Sequence, residues 1–248
     1  MINRIDTAVI LAAGLGSRLG DLKDGKPKAF LEIEGISLIE RSIEALRSRG
    51  IQRIIIGTGY ENHHFDNLAD KYEQVITRRN ERFDSTGSMY TLFLLKDMVT
   101  QPFLLLEGDL LYEPAALDYL LDDGHDEIIL ASTATHSGDE VFIEASHEGM
   151  LLNMSKNRDA LNAIAGELVG ISKLSVAGLQ SMCQFAQQRY DAQHYGIHYE
   201  DAMVGASASS DFFVKVVDDL AWCEIDDHAH LERAMNSVYP KIKERSKL

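Results

Sequence analysis

Cysteine is nearly missing from this chain. The only two, Cys183 and Cys223, stand far apart, with no CxxC pair and no histidine at ligand spacing. That argues against a metal or redox role and fits two reduced thiols in packed elements. Basic residues are in deficit, 24 Lys and Arg against 39 Asp and Glu, for a net charge of −15. Phosphate arrays repel so acidic a chain, which speaks against nucleic acid or an anionic membrane surface as a partner. No run of about 18 apolar residues occurs, so no transmembrane helix is predicted. The start, "MINRIDTAVI", has no basic region followed by a long apolar one and does not read as a secretory signal. Together these absences point to a cytoplasmic protein. Ser246-Lys247-Leu248 matches a peroxisomal address, but three residues match easily by chance and nothing else suggests that organelle. With four prolines and no repeat, low-complexity tract or Pro/Ser-rich linker, a single domain is expected over residues 1–248.

The composition is 45% hydrophobic, enough for a substantial core. Apolar runs and amphipathic stretches alternate through the first half. Strands are predicted at Thr7–Leu11, Arg53–Gly59, Gln74–Arg78, Phe103–Asp109 and Glu127–Thr133. Helices are predicted at Leu38–Arg49, Phe65–Tyr72, Ser88–Met98 and Ala115–Leu121, the last opened by Pro114. This alternation means βαβ units and a mostly parallel, Rossmann-like sheet with helices on both faces, an α/β fold. The second half changes character. "EVFIEAS", "MLLNMS" and "GELVGISKL" read as antiparallel strands forming a small β substrate lobe. Helices follow over Val176–Tyr190, Tyr199–Ala208 and His228–Tyr239, with strands in "FFVKVVD" and "AWCEID". The domain thus reads as two parts, residues 1–135 and 136–248.

The chemistry begins where the first strand ends. Leu11, Ala12, Ala13, Gly14 and Gly16 let backbone N–H groups come close to a ligand, since few side chains stand in the way. Phosphates bind at such a loop, at the carboxyl edge of a parallel sheet. It is not a Walker A loop, and the dinucleotide fingerprint fails because Leu19 stands where Gly or Ala is needed. Arg18, Lys23, Lys26 and Lys28 follow, with Pro27 holding the chain extended. Cations reaching over a glycine loop describe a polyphosphate clamp; a surface loop with ordinary solvated cations is the other reading. Asp109 lies where a buried apolar strand ends, at the same sheet edge, with Glu107 on the same strand face. A carboxylate there is costly to bury unless a cation such as Mg²⁺ meets it. Asp226 also follows a β-like run and precedes a helix, for which Asp227 is the better N-cap.

"LAAGLGSRL" followed by "KPKAFLEI" resembles the signature of the nucleotidyltransferases that join a nucleoside monophosphate to a small phosphorylated compound. The resemblance implies that Leu11, Ala12, Ala13, Gly14 and Gly16 wrap a nucleoside triphosphate, and that Arg18 and Lys28 neutralise its phosphates. It implies metal ligation by Asp109 and Asp226, so that residues 1–135 are the nucleotide-binding part and 136–248 the part that binds the acceptor and completes the metal site; Glu107 supports the site by its place on the Asp109 strand face. It also places base or ribose recognition at Thr86-Gly87-Ser88, which read by themselves are equally a capping turn. Lys156 would contact the second substrate's phosphate; as a residue it reads equally well as an exposed turn lysine.

The compact length, the "GSMYTLFLL" helix and the "LLLEGDLLYE" strand end are similar to the cytidylyltransferase branch that activates phosphocholine or 2-aminoethylphosphonate with CTP. Sugar-specific relatives carry a Glu-Lys-Pro element where this chain reads Ser155-Lys156-Asn157. Tyr199, Glu200 and Asp201 could hold an ammonium group, and two carboxylates favour a primary amine over a quaternary head. A solvated, acid-rich helix start explains the same residues. The implied reaction is Mg²⁺-dependent in-line displacement on CTP by a small zwitterionic phosphonate or phosphate, with no general base and no catalytic histidine. A phosphocholine or sugar-1-phosphate acceptor, a dinucleotide-dependent oxidoreductase and a non-catalytic nucleotide sensor are the alternatives. The charged "KIKERSKL" fits either a terminus or the start of a linker to a second enzyme of the same pathway.

Overall fold

A computed structural model describes residues 5–16, 18–20 and 25–246. Lys23, of the proposed cationic loop, and the last two residues of the Ser-Lys-Leu ending lie outside the described residues. The first half holds β1 (Thr7–Ala12), β2 (Glu32–Ile33), β3 (Ile36–Ser37), α1 (Leu38–Ser48), β4 (Arg53–Thr58), α2 (His63–Lys71), β5 (Val75–Arg79), α3 (Ser88–Leu95), β6 (Phe103–Glu107), β7 (Leu110–Tyr112), α4 (Ala115–Leu121) and β8 (Ile128–Ser132). The second half holds β9 (Phe142–Ala145), β10 (Leu151–Ser155), β11 (Gly166–Leu174), α5 (Val176–Asp191), α6 (Tyr199–Ala206), β12 (Phe213–Val217), β13 (Trp222–Glu224), α7 (His228–Arg233) and α8 (Tyr239–Arg245).

β1 lies mid-sheet, parallel to β4 on one side and β6 on the other. Its alternation serves two cores. Ala8 and Ile10 pack with Ile39, Ile43 and Leu46 of α1, while Val9 and Leu11 pack with Met89 and Leu92 of α3. A strand covered on both faces must be apolar throughout, which is why "AVIL" carries no polar residue. Helix α1 starts where the Ser37 hydroxyl accepts the Glu40 N–H, and it ends before Gly50.

The antiparallel strands of the second half extend the same sheet. β11 runs against β6 through Ile171–Leu174 and against β9 through Gly166–Glu167, with β8 along its other edge. β12 is parallel to β8. In this mixed, mostly parallel sheet, β11 and β10 therefore run against the other strands, and β9 keeps the direction of β6. Between the two stretches the register of β11 shifts from Leu168 to Ser172, and Glu107, the last residue of β6, lies against Gly170 there.

Several predicted elements differ in extent. Helix α6 ends at Ala206 rather than Ala208. The closing helix runs past Tyr239 to Arg245. Pro240 does not end it, because it falls in the first turn of α8, after a π-helical turn over Ala234–Val238. β7, which the sequence does not predict, is a separate strand after the Gly108-Asp109 turn, and it pairs with β13.

Candidate active site

A cleft of about 350 Å³ opens at the carboxyl ends of β1 and β6. Leu11, Ala13, Gly14 and Arg18 line it, and Leu11, Ala12, Gly14, Gly16 and Lys28 line a smaller pocket beside it. Gly16 has φ +57°, and a Cβ there would come within 3.1 Å of the Lys28 Cβ. Its bare backbone thus lets the loop fold over Lys28. The Gly108 N–H donates to the Leu11 carbonyl at 2.9 Å, which fixes the β6–β7 turn against β1 and sets Asp109 at the cleft.

The second acid arrives by strand pairing. Glu224 of β13 stands opposite Leu110 of β7, and the Ile225 N–H donates to the Asp109 carbonyl at 3.2 Å. Asp226, 117 residues downstream by number, thereby joins Asp109 around the Lys28 ammonium, which pairs with both and lies 3.5 Å from Glu224. Arg18 reaches Asp226 at 3.1 Å and Asp139 at 2.7 Å, and Lys156 reaches Asp139 at 2.6 Å. Asp139 thus bridges the glycine loop to the end of β10.

Carboxylates outnumber cations here, and their protonation shows it. Burial, then the charges of Asp109 and Glu200, push Glu107 up to about 8. Burial, then Asp109 and Glu107, push Glu224 up to about 10. For Asp226 burial acts in the same direction, but Lys28 and Arg18 outweigh it and hold the group at about 2. Burial opposes the charge of Lys28, yet Asp109, Glu224 and Asp226 keep its ammonium well above the ordinary lysine range. Oxygen atoms of Glu107, Asp109 and Glu224 lie within 4.8 Å of one another, and Asp109 Oδ1 is buried without a hydrogen-bond partner. A hard divalent cation with oxygen ligands fits this set, because it would meet the unpartnered oxygen and offset the clustered charge.

The remaining sequence candidates divide. Thr86, Gly87 and Ser88 line the cleft. The Thr86 hydroxyl donates to the Arg82 carbonyl at 2.7 Å, and Ser88 Oγ accepts the Tyr199 N–H at 3.1 Å, which ties this loop to the start of α6. Tyr199 is buried and donates its hydroxyl to Glu107 Oε1 at 2.8 Å, so it braces Glu107. Glu200 lines the cleft with Oε2 buried and unpartnered, and burial raises its affinity for a proton. Asp201 is not brought to the cleft. Its carboxylate accepts the His198 N–H at 2.8 Å and completes a capping box, because the third residue of a helix points back at its own N-terminus. Lys26 is half-buried, 3.9 Å from Glu32. Asp227 caps α7, accepting the His230 N–H at 2.9 Å. Glu224 and Asp139 escaped the sequence reading. Glu224 was findable, since it shares a strand face with Asp226 just as Glu107 does with Asp109; nothing local marks Asp139.

Comparison with known proteins agrees with this geometry. The sequence matches the MobA-like NTP transferase domain over residues 8–171. A CTP:phosphoglutamine cytidylyltransferase from Campylobacter jejuni is 27% identical over 247 residues, covering 91% of this chain and 97% of the relative. A 2-aminoethylphosphonate cytidylyltransferase from Lancefieldella rimae is 24% identical over 226 residues, covering 90% of this chain and 89% of the relative. In fold, the chain is similar to the CTP:phosphocholine cytidylyltransferase of Streptococcus pneumoniae, with a TM-score of 0.80 at 23% identity over 94% of this chain and 98% of that one. The chain therefore belongs to the MobA-like NTP transferase domain family and is a nucleotidyltransferase.

Proposed function

We propose that the chain is a Mg²⁺-dependent cytidylyltransferase that joins CMP from CTP to a small ammonium-bearing phosphonate or phosphate, with release of pyrophosphate. The observation that carries the reading is the meeting of Arg18 and Lys28 with Asp109 and Asp226 at one cleft. The cytidylyl part is supported by the similar proteins, whose names specify CTP or a cytidylyl group. The ammonium part is supported by Glu200, whose buried, unpartnered oxygen faces a positively charged partner more readily than any neutral one. Glu200 and the 24% identical relative make 2-aminoethylphosphonate the first acceptor to test.

An oxygen of the acceptor's phosphonate attacks the α-phosphorus, the new P–O bond forms in line, and the bond to the β-phosphate breaks. That oxygen is already ionised near neutral pH, so no side chain need remove a proton. Arg18 and Lys28, which now pair with Asp139, Asp109 and Asp226, exchange these carboxylates for triphosphate oxygens and stabilise the leaving pyrophosphate. Lys156 orients the attacking anion. Asp109 and Asp226, with Glu107 and Glu224 beside them, would hold Mg²⁺, which neutralises phosphate charge when bound.

The test is pyrophosphate release across the four common nucleoside triphosphates crossed with 2-aminoethylphosphonate, phosphocholine and glucose-1-phosphate. We expect release with CTP and an ammonium-bearing acceptor, lost on chelation of the metal and restored by Mg²⁺. Release that favours glucose-1-phosphate, or another nucleotide over CTP, would overturn the assignment.

A further inference from the structure

The cleft continues past the acids, toward the ends of β8 and β11, where Thr135, Glu167, Trp222, His230 and Arg233 line it. The glycine loop follows β1, and Thr86–Ser88 open the helix packed on β1 and β4, so nucleotide groups occupy the β1–β4 side. The β8–β11 side is left for the part of the acceptor that lies beyond its phosphorus.

The polar groups at this far end are unevenly used. Both Glu167 oxygens are occupied, by the Thr135 N–H at 2.5 Å and the Thr135 hydroxyl at 2.9 Å. Both His230 ring nitrogens are occupied, one accepting the Asp226 N–H at 3.3 Å and the other lying 3.2 Å from the Ser137 carbonyl. Two donors remain. Arg233 makes no hydrogen bond or ion pair among the described residues, although it is half-buried. Trp222 is 5% exposed, and its Nε1 is buried without an acceptor. A half-buried guanidinium that feels the charge of Glu167 but hydrogen-bonds to no carboxylate among the described residues, and a buried indole N–H without an acceptor, are both costly. A single planar anion that accepts from both removes both costs, and a carboxylate has the geometry for a guanidinium.

We propose that Arg233 and Trp222 form a carboxylate subsite, so that the acceptor is a small phosphonate or phosphate carrying a carboxylate as well as an ammonium group. This rests on the cytidylyltransferase reading above and narrows its acceptor class. 2-Aminoethylphosphonate would fill the Lys156 and Glu200 positions and leave this end unfilled. Its carboxylated counterpart, 2-amino-3-phosphonopropionate, would fill all three.

Two pairs of acceptors isolate the carboxylate: 2-aminoethylphosphonate against 2-amino-3-phosphonopropionate, and phosphoethanolamine against O-phosphoserine. Within each pair the carboxylate is the only difference. With CTP and Mg²⁺, kcat/KM for pyrophosphate release is expected to favour the carboxylated member by about tenfold or more in at least one pair. In Arg233→Ala that ratio should collapse to about one, and Arg233→Lys should retain part of it; thermal unfolding of each variant reports whether it folds. A wild-type ratio at or below one in both pairs, with turnover of the uncarboxylated members, overturns this subsite and leaves the cytidylyltransferase reading standing. A preference that survives in Arg233→Ala also overturns it. Absence of release with every acceptor and nucleotide overturns the reading itself, and the subsite with it.

Discussion

Asp109 shows how much one side chain decides. It sits in the turn after a buried strand, pairs with Lys28 through one oxygen and buries the other without a partner. Asp109→Asn preserves shape and removes the charge, so we expect an intact fold by circular dichroism and turnover lowered by about 10²-fold or more. Near-normal turnover would remove Asp109 from the proposed metal site. Gly170 is its quiet counterpart. It has φ +82°, and a Cβ there would stand 2.5 Å from Glu107 Oε2. Gly170→Ala should cost about 1–3 kcal/mol in denaturant unfolding and lower turnover further by displacing Glu107. Unchanged stability would show that β11 relaxes at its register shift. Asp109 was legible because it follows an apolar strand, and Lys28 because Pro27-Lys28 follows the glycine motif. Asp201 misled because a carboxylate at a helix start serves a ligand or its own backbone equally well, and only the side-chain direction separates the two.

Among the elements, the β7–β13 ribbon does the most for the site. Its register sets Glu224 opposite Leu110 and so delivers Asp226 to Asp109. A second junction holds the sheet's far edge. Asp123, after α4, accepts hydrogen bonds from Lys215 of β12 at 2.7 Å and from the His125 N–H at 3.0 Å, while its carbonyl accepts from Lys173 of β11 at 2.6 Å. Burial would raise this carboxyl, but the bonds from Lys215 and His125 outweigh it and hold it well below the ordinary carboxylate range. A depressed carboxyl stabilises the fold above the unfolded value and stops doing so as pH falls through the folded one. Asp123→Asn should therefore cost about 2 kcal/mol in urea unfolding at neutral pH, and the gap from the parent should narrow below about pH 4. An equal gap at both pH values would assign the loss to packing.

At the scale of the molecule, an acidic chain of net charge −15 must still receive a polyanion. It does so by concentrating Arg18, Lys28 and Lys156 at one cleft, each already held by carboxylates. Those clustered acids repel one another, so a bound divalent cation and nucleotide should stabilise the whole fold. At a hundred times its dissociation constant, a ligand of the folded state adds about 2.7 kcal/mol, enough to raise Tm by about 5 °C or more in a chain of this size. Scanning calorimetry with Mg²⁺ and CTP together should show that rise in the parent and lose most of it in Asp109→Asn. No rise in the parent would mean that the cleft does not bind the pair.

The sequence by itself determined the strands and helices of the parallel half, the glycine loop with its cations, and the two strand-end acids. Each of these is written in local periodicity or in a contiguous motif, because a doubly covered strand must be apolar and a phosphate loop must be small. Only the tertiary structure decided that the antiparallel strands join the main sheet, that Glu224 and Asp139 complete the charge cluster, that Asp201 turns away, and that Arg233 and Trp222 line the same cleft. Those outcomes depend on pairings between residues far apart along the chain, such as β7 with β13, and no local pattern specifies which distant strand will supply the partner.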